Sequence, residues 1–222
     1  MPATLLLTGF ERFGAHAVNP TETLARDLEG RVLGAWQVRA AVLPVHRVDG
    51  PAHALALLDE LRPAAVLHLG LAEGRARIAL EQVAVNLLDY PIPDNAGHRP
   101  AGEPCVPDGP AAYLGTLPYA AMHAALAAAG IPAYLSRTAG TYLCNQVFYT
   151  TLHAVATRRL PTRVGFVHVP LLPAMVAASG ADAPSMDLGL MRRAVEVLVG
   201  TLPEAGRLRP GPGRRGRPEP AG

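Results

Sequence analysis

Few side chains in this sequence could attack an electrophile. It has no lysine among its 20 positive residues, two cysteines, and three serines at Ser136, Ser179 and Ser185. Without lysine there is no Walker-type phosphate loop and no Schiff-base or pyridoxal-phosphate chemistry, since each needs the amine. None of the serines sits in a G-x-S-x-G elbow. Cys144 is left as the leading nucleophile. It follows the turn-prone Thr138-Ala139-Gly140-Thr141 and opens a helical pattern reaching about Arg158. In a first helical turn, unpaired N–H groups and the positive end of the dipole favour an anion. The spacing therefore predicts a thiol lowered from ~8.5 to roughly 3.5–7.5 and ionised at neutral pH. The competing reading is a small buried hydrophobe. Cys105, in the proline-rich Pro104-Cys105-Val106-Pro107, has no helix terminus to ionise it.

A thiol nucleophile needs a base, commonly a histidine oriented by a third group. Of the eight histidines, His153 lies nine residues beyond Cys144 on the same helix and points to the opposite face. His123 within a helix, His53 near a helix start, and His16 and His98 in loops suit the surface. His68, inside Val66-Leu67-His68-Leu69-Gly70, suits a hydrogen-bonded core position, and His46 after a strand stays open. His168 has the best placement. It stands near the carboxyl end of Val164-Gly165-Phe166-Val167-His168-Val169, the strand directly following the Cys144 helix, where parallel sheets gather reactive groups. For the orienting acid, Glu81 lies on an apolar strand face where a carboxylate is costly without a partner. Asp94, in Ile92-Pro93-Asp94-Asn95, is the rival, although such a sequence also makes ordinary turns. No C-x-x-C pair or H-E-x-x-H occurs, so no metal is expected.

These residues must be positioned by alternating strands and helices. Strands are read at Thr4–Thr8, Trp36–Leu43, Ala64–Gly70, Arg77–Leu88, residues 133–136 and Arg163–Val169. The Arg77–Leu88 strand would put Ala79, Glu81, Val83 and Val85 on one face. Helices are read at 20–29 behind the Asn19-Pro20-Thr21-Glu22 start, through Leu55–Leu61, at Tyr119–Ala129, from Cys144 and from Asp187 to about Thr201. Gly9–Gly14 reads as a turn carrying two of four phenylalanines, 89–118 as a long proline-rich excursion and 170–186 as a loop. The alternation predicts an α/β fold: a three-layer α/β/α sandwich with a mainly parallel mixed sheet, of the phosphorylase/hydrolase kind.

One domain is expected over 1–202, with a disordered Pro/Gly/Arg-rich tail at 203–222. That tail holds five arginines against two glutamates, so the net charge of +2 leaves the body slightly acidic and not a nucleic-acid surface. No apolar run is long enough to span a bilayer, and there is no signal-like amino terminus. With two cysteines and no disulfide framework, the chain is expected to be soluble, in a reducing compartment.

Taken together, several segments resemble pyroglutamyl-peptidase I, the pyrrolidone-carboxylate peptidase family of cysteine peptidases. They are Leu7-Thr8-Gly9-Phe10-Glu11-Arg12-Phe13-Gly14, Asn19-Pro20, Glu81-Gln82-Val83-Ala84-Val85-Asn86, Ile92-Pro93-Asp94-Asn95, Ala139-Gly140-Thr141-Tyr142-Leu143-Cys144-Asn145 and Gly165-Phe166-Val167-His168-Val169-Pro170. The resemblance implies an α/β/α, cytoplasmic enzyme without cofactor or metal, forming homodimers or homotetramers. It implies Cys144 as nucleophile, His168 as base and Glu81 as its carboxylate. Phe10, Phe13, Asn19, Leu71, Ile92, Tyr142 and Leu143 would bind the substrate, a peptide with an amino-terminal pyroglutamyl (5-oxoprolyl) residue. No nucleic acid or membrane partner is implied. Three positions depart from the family pattern: Leu71 stands where an amide side chain is usual, Pro91 where arginine is usual and Arg12 where proline is common.

Overall fold

A computed structural model describes residues 2–203 of the chain. The tail expected at 203–222 lies, from residue 204 on, outside the described residues. The strands of the main sheet are β1 (Ala3–Phe10), β2 (Val32–Leu33), β3 (Trp36–Leu43), β4 (Ala65–Leu71), β5 (Ile78–Glu81), β10 (Ala133–Ser136) and β11 (Arg163–Val169). Between β5 and β10 lie the short strands β6 (Val83–Val85), β7 (Leu88–Asp89), β8 (Ala101–Glu103) and β9 (Ala112–Leu114). The helices are α1 (Pro20–Leu28), α2 (Asp49–Leu61), α3 (Tyr119–Ala128), α4 (Leu143–Thr157), α5 (Pro173–Ser179) and α6 (Leu188–Gly200).

The seven-stranded sheet has the order β10-β5-β11-β4-β1-β3-β2. Its four central strands, β11, β4, β1 and β3, run parallel, while β5 is antiparallel to β11 and β2 to β3. Both faces are covered, so β4 is apolar nearly throughout and buried at every position. The period-2 alternation sends Leu5, Leu7, Leu67, Leu69 and Val167 to a core roofed by α1, α3 and α6. Leu6, Val66, Val164 and Phe166 face the opposite core under α2 and α4. This is the expected α/β/α sandwich.

Helix α1 starts as its sequence demands, with Asn19 Oδ1 accepting from the Thr21 backbone N–H at 3.0 Å and Pro20 in the first turn. It packs hard on β1: a Cβ on Gly9 would lie 2.0 Å from the Thr21 carbonyl oxygen, so only glycine permits the approach.

Four expectations change. Strand β1 continues through Gly9 and Phe10, because Phe10 is buried and the strand pairs with β3 to Leu43. Arg77–Leu88 is not one strand: the chain leaves the main sheet at Gln82, and Val83–Val85 pairs instead with β9. Glu81 therefore does not share a continuous face with Val83 and Val85, although it is fully buried. The 89–118 excursion holds β8 and β9, which pair antiparallel with β7 and β6. Residues 173–179 form the short helix α5 with Pro173 in its first turn, where proline's missing N–H costs nothing.

At the sheet's centre His68 bridges Thr8 Oγ1 (Nδ1, 2.7 Å) and Thr151 Oγ1 on α4 (Nε2, 3.2 Å), tying β1, β4 and α4 together. Burial pulls its pKa from the ordinary 6.5 to about 3. Because the folded pKa lies below the unfolded one, this stability is intact above pH 6.5 and drains as pH falls toward 3. We expect up to ~1.4 kcal/mol lost per pH unit in that window from this residue. Urea midpoints of wild type and His68→Gln between pH 6.5 and 4 measure it; a variant whose pH slope equals that of wild type would refute the assignment.

Candidate active site

The antiparallel register of β11 on β5 sets Phe166 opposite Glu81 and His168 opposite Ala79. His168 and Glu81 are thus diagonal neighbours on one sheet face, within reach of long side chains. His168 Nδ1 lies 2.8 Å from Glu81 Oε1. The same oxygen accepts from the Arg75 guanidinium at 2.6 Å. Burial pushes the Glu81 carboxyl up, but the hydrogen bond and charge of His168 and the hydrogen bond from Arg75 help to hold the group below its usual range. The carboxylate is ionised, so Nδ1 of His168 must carry the proton and Nε2 is left as the basic nitrogen. Asp94, the rival acid, is elsewhere: its oxygens accept from the backbone N–H groups of Arg47, Ala96 and His98 and from the His98 ring.

Cys144 is the second residue of α4, whose cap, Tyr142, makes no side-chain capping bond. The helix start is bolted down by the two residues that follow. Asn145 accepts from Val85 N–H at 2.9 Å and donates to the Val85 and Leu87 carbonyls, while Gln146 accepts from Tyr90 Oη at 2.5 Å and donates to the Arg47 carbonyl. Beneath the sulfur is Gly70, register partner of His168 on β4. A Cβ there would sit 2.9 Å from Cys144 Sγ and 2.7 Å from Phe166 Cζ. The missing side chain is what lets the thiol descend onto the sheet on the same face as His168.

The expectation of an ionised thiol is overturned. Burial pushes the Cys144 thiol up to about 12, and the negative charge of Glu81 adds to this; Arg75 and the helix's own N–H oppose it without prevailing. Burial likewise lowers the His168 pKa, against the raising influence of Glu81 and with a small further lowering by Arg75. The resting pair is therefore a neutral thiol beside a neutral imidazole. The dipole of a helix start is worth about half a charge, and desolvation at the cavity floor exceeds it.

Cys144 and His168 both line an apolar cavity of about 340 Å³. All seven residues singled out for substrate contact also line it: Phe10, Phe13 and Asn19 from the β1–α1 segment, Leu71 at the end of β4, Ile92, and Tyr142 with Leu143. Of the three departures, Leu71 and Pro91 are cavity residues, whereas Arg12 is not among them. Tyr142 stacks edge-on against Tyr90 with centroids 4.6 Å apart, and its hydroxyl donates to the Pro93 carbonyl at 3.1 Å.

Arg75 is the residue that sequence reasoning missed. A buried acid demands a partner, and the cation six residues before Glu81 was the available signal. His153 hydrogen-bonds Tyr113 on the far side of α4, as its spacing required. Among the described residues, His46, Asp94 and His98 bring donor atoms within 4.8 Å of one another. Yet His46 Nδ1 accepts from the Asp49 N–H at 3.0 Å and Asp94 is filled by amides, so the trio reads as a brace under the cavity wall.

Chemistry of this kind belongs to thiol hydrolases, and similarity to known proteins narrows the class. The sequence model of the pyroglutamyl peptidase family (peptidase family C15) matches residues 3–204. The pyrrolidone-carboxylate peptidase of Pyrococcus furiosus is 44% identical over 200 residues, covering 88% of this chain and 95% of that protein. Its counterpart in Pseudomonas fluorescens is 46% identical over 188 residues, covering 84% and 86%. A structure of a mutant pyrrolidone carboxyl peptidase from P. furiosus superposes with a TM-score of 0.87 at 42% identity, covering 90% of this chain and 97% of that one. The chain belongs to the pyroglutamyl peptidase family.

A neutral resting thiol has a kinetic signature. Iodoacetamide alkylation of Cys144, followed by mass spectrometry, should climb steadily above pH 8 with no plateau at neutral pH. A plateau below pH 7 would restore the ionised thiol. Gly70→Ala should slow alkylation and turnover by about 10²-fold through displacement of the sulfur, while leaving the fold recognisable by circular dichroism.

Proposed function

We propose that this chain is a cysteine exopeptidase that removes amino-terminal pyroglutamyl residues from peptides, with Cys144, His168 and Glu81 as its triad. The observation carrying this reading is the His168–Glu81 hydrogen bond beside Cys144, at the floor of an apolar cavity. The relatives' shared name supplies the substrate class.

The chemistry follows from the resting protonation states. His168 Nε2 takes the thiol proton as the sulfur attacks the carbonyl that joins the 5-oxoprolyl group to the next residue. The oxyanion is met by backbone N–H groups of the first turn of α4, which lack intrahelical partners. Collapse breaks the C–N bond, and the imidazolium returns its proton to the leaving amine. Water then attacks the thioester with His168 again as base, and the proton goes back to the sulfur as pyroglutamate departs. Glu81 holds the imidazole's tautomer and stabilises its transient charge.

The uncharged lactam suits the walls. Phe10, Phe13, Ile92 and Leu143 offer a flat apolar slot with no free carboxylate to recruit an ammonium, since Glu73 at the rim is paired with His16 at 2.6 Å. Leu71 contributes apolar surface but no side-chain amide. We further propose that residues 1–202 act as one peptidase domain, in the cytoplasm, as a homodimer or homotetramer, without cofactor. No described helix is long and apolar enough to cross a membrane, and both cysteines are free thiols.

Wild type should release a fluorophore from a pyroglutamyl amide and leave the prolyl amide intact. Cys144→Ala should abolish release, and Glu81→Gln should lower kcat by about 10³-fold or more with little change in KM. Comparable turnover in wild type and Cys144→Ala would end the reading.

A further inference from the structure

Resting on the reading above, the geometry points to Arg75 as a positioning residue of the reaction, clamping the one carboxylate oxygen that also orients His168. Glu81 has no exposed surface. Its Oε1 takes both strong donors, Arg75 at 2.6 Å and His168 Nδ1 at 2.8 Å. The other oxygen makes no hydrogen bond among the described residues. Ser136, opposite Glu81 in register, has its hydroxyl directed at the Thr138 carbonyl, 3.3 Å away. Arg75 is therefore the fixed anchor that stops the carboxylate from rotating and carrying the imidazole with it.

Arg75 also stands in the cavity wall with Cys144 and His168, its side chain about one-quarter exposed. A fixed positive charge there disfavours a protonated His168 and favours a deprotonated Cys144; both influences are present. The other charged or titratable groups around the pair are Glu81 itself, Tyr119 behind it, Tyr142 beside the thiol and Glu73 at the rim. Glu73 is paired with His16, and burial raises both tyrosines so that they stay neutral; among the residues lining the cavity Arg75 alone carries a permanent positive charge.

Removing Arg75 takes a fixed cation away from His168, so the charge effect moves the acid limb of the kcat/KM profile to higher pH. Residues that merely support the fold would lower the profile without sliding it.

The test is the pH dependence of pyroglutamyl-amide hydrolysis by wild type, Arg75→Met and Arg75→Lys, with folding checked by circular dichroism. In Arg75→Met, kcat should fall by about 10- to 100-fold and the acid limb should shift up by about half to one pH unit. Arg75→Lys should restore the position of that limb, since the charge is kept, but only part of kcat, since one ammonium clamps less rigidly than a planar guanidinium. An unmoved acid limb in a folded Arg75→Met, or full kcat in that variant, would overturn the inference while leaving the proposed activity standing. No Cys144-dependent turnover in wild type would instead sink the activity.

Discussion

The molecule is arranged around one buried negative charge. A carboxylate with no exposed surface in the middle of a sheet is destabilising unless its charge is met by donors. Glu81 is met by a guanidinium and an imidazole on the same oxygen. Strand β5 runs antiparallel to β11 and overlaps it over three register pairs, which makes Glu81 a diagonal neighbour of His168 on one face. The chain leaves the main sheet at Gln82, directly after the acid, and β6 pairs with β9 in a separate two-stranded sheet.

The thiol obeys a second constraint, which is access. Cys144 reaches the sheet face of His168 only because Gly70, the register partner of that histidine, carries no side chain. The same descent partly shields the sulfur from water and pushes its pKa up. A helix start alone is a poor guide to thiol ionisation, because its half-charge acts fully only where water still solvates the anion. Burial thus favours a neutral thiol and a neutral imidazole over a standing ion pair, which is the resting state the proposed mechanism starts from.

Much of this was legible in the sequence, and the reason differs by element. Trp36–Leu43 and Arg163–Val169 have the limits read from them, since Gly34 and Pro44 bound the first and Pro161 and Pro170 the second. Cys144, His168 and Glu81 stand out in the sequence because each violates its surroundings: a thiol at a helix start, an imidazole and an acid in apolar strands. The break at Gln82 was invisible, because Arg77–Leu88 holds no glycine or proline to mark it and only tertiary pairing divides it. The short ribbons within 89–118 and the helix at 173–179 were missed because proline-rich segments hide their pairing behind turn signals. Arg75 was missed for a different reason: its importance lies in a contact with Glu81, not in any pattern around itself.

Specificity and catalysis share one segment of chain. Ala139, Tyr142 and Leu143 line the cavity, Cys144 follows at once, and Asn145 and Gln146 lock the helix start to Val85, Leu87, Tyr90 and Arg47. The segment that supplies Ile92 is tied to the same stretch: Thr141 Oγ1 donates to the Asp89 carbonyl at 2.6 Å and Tyr142 to that of Pro93. Asp94, held ionised by backbone amides against the upward push of its burial, fixes the far end of that segment to Arg47. A ring that spreads Ile92 away from Tyr142 must therefore strain the bonds that place the sulfur. The shape of the cavity wall and the position of Cys144 are set by the same hydrogen bonds, so in the proposed reaction lactam binding and thiol alignment are coupled.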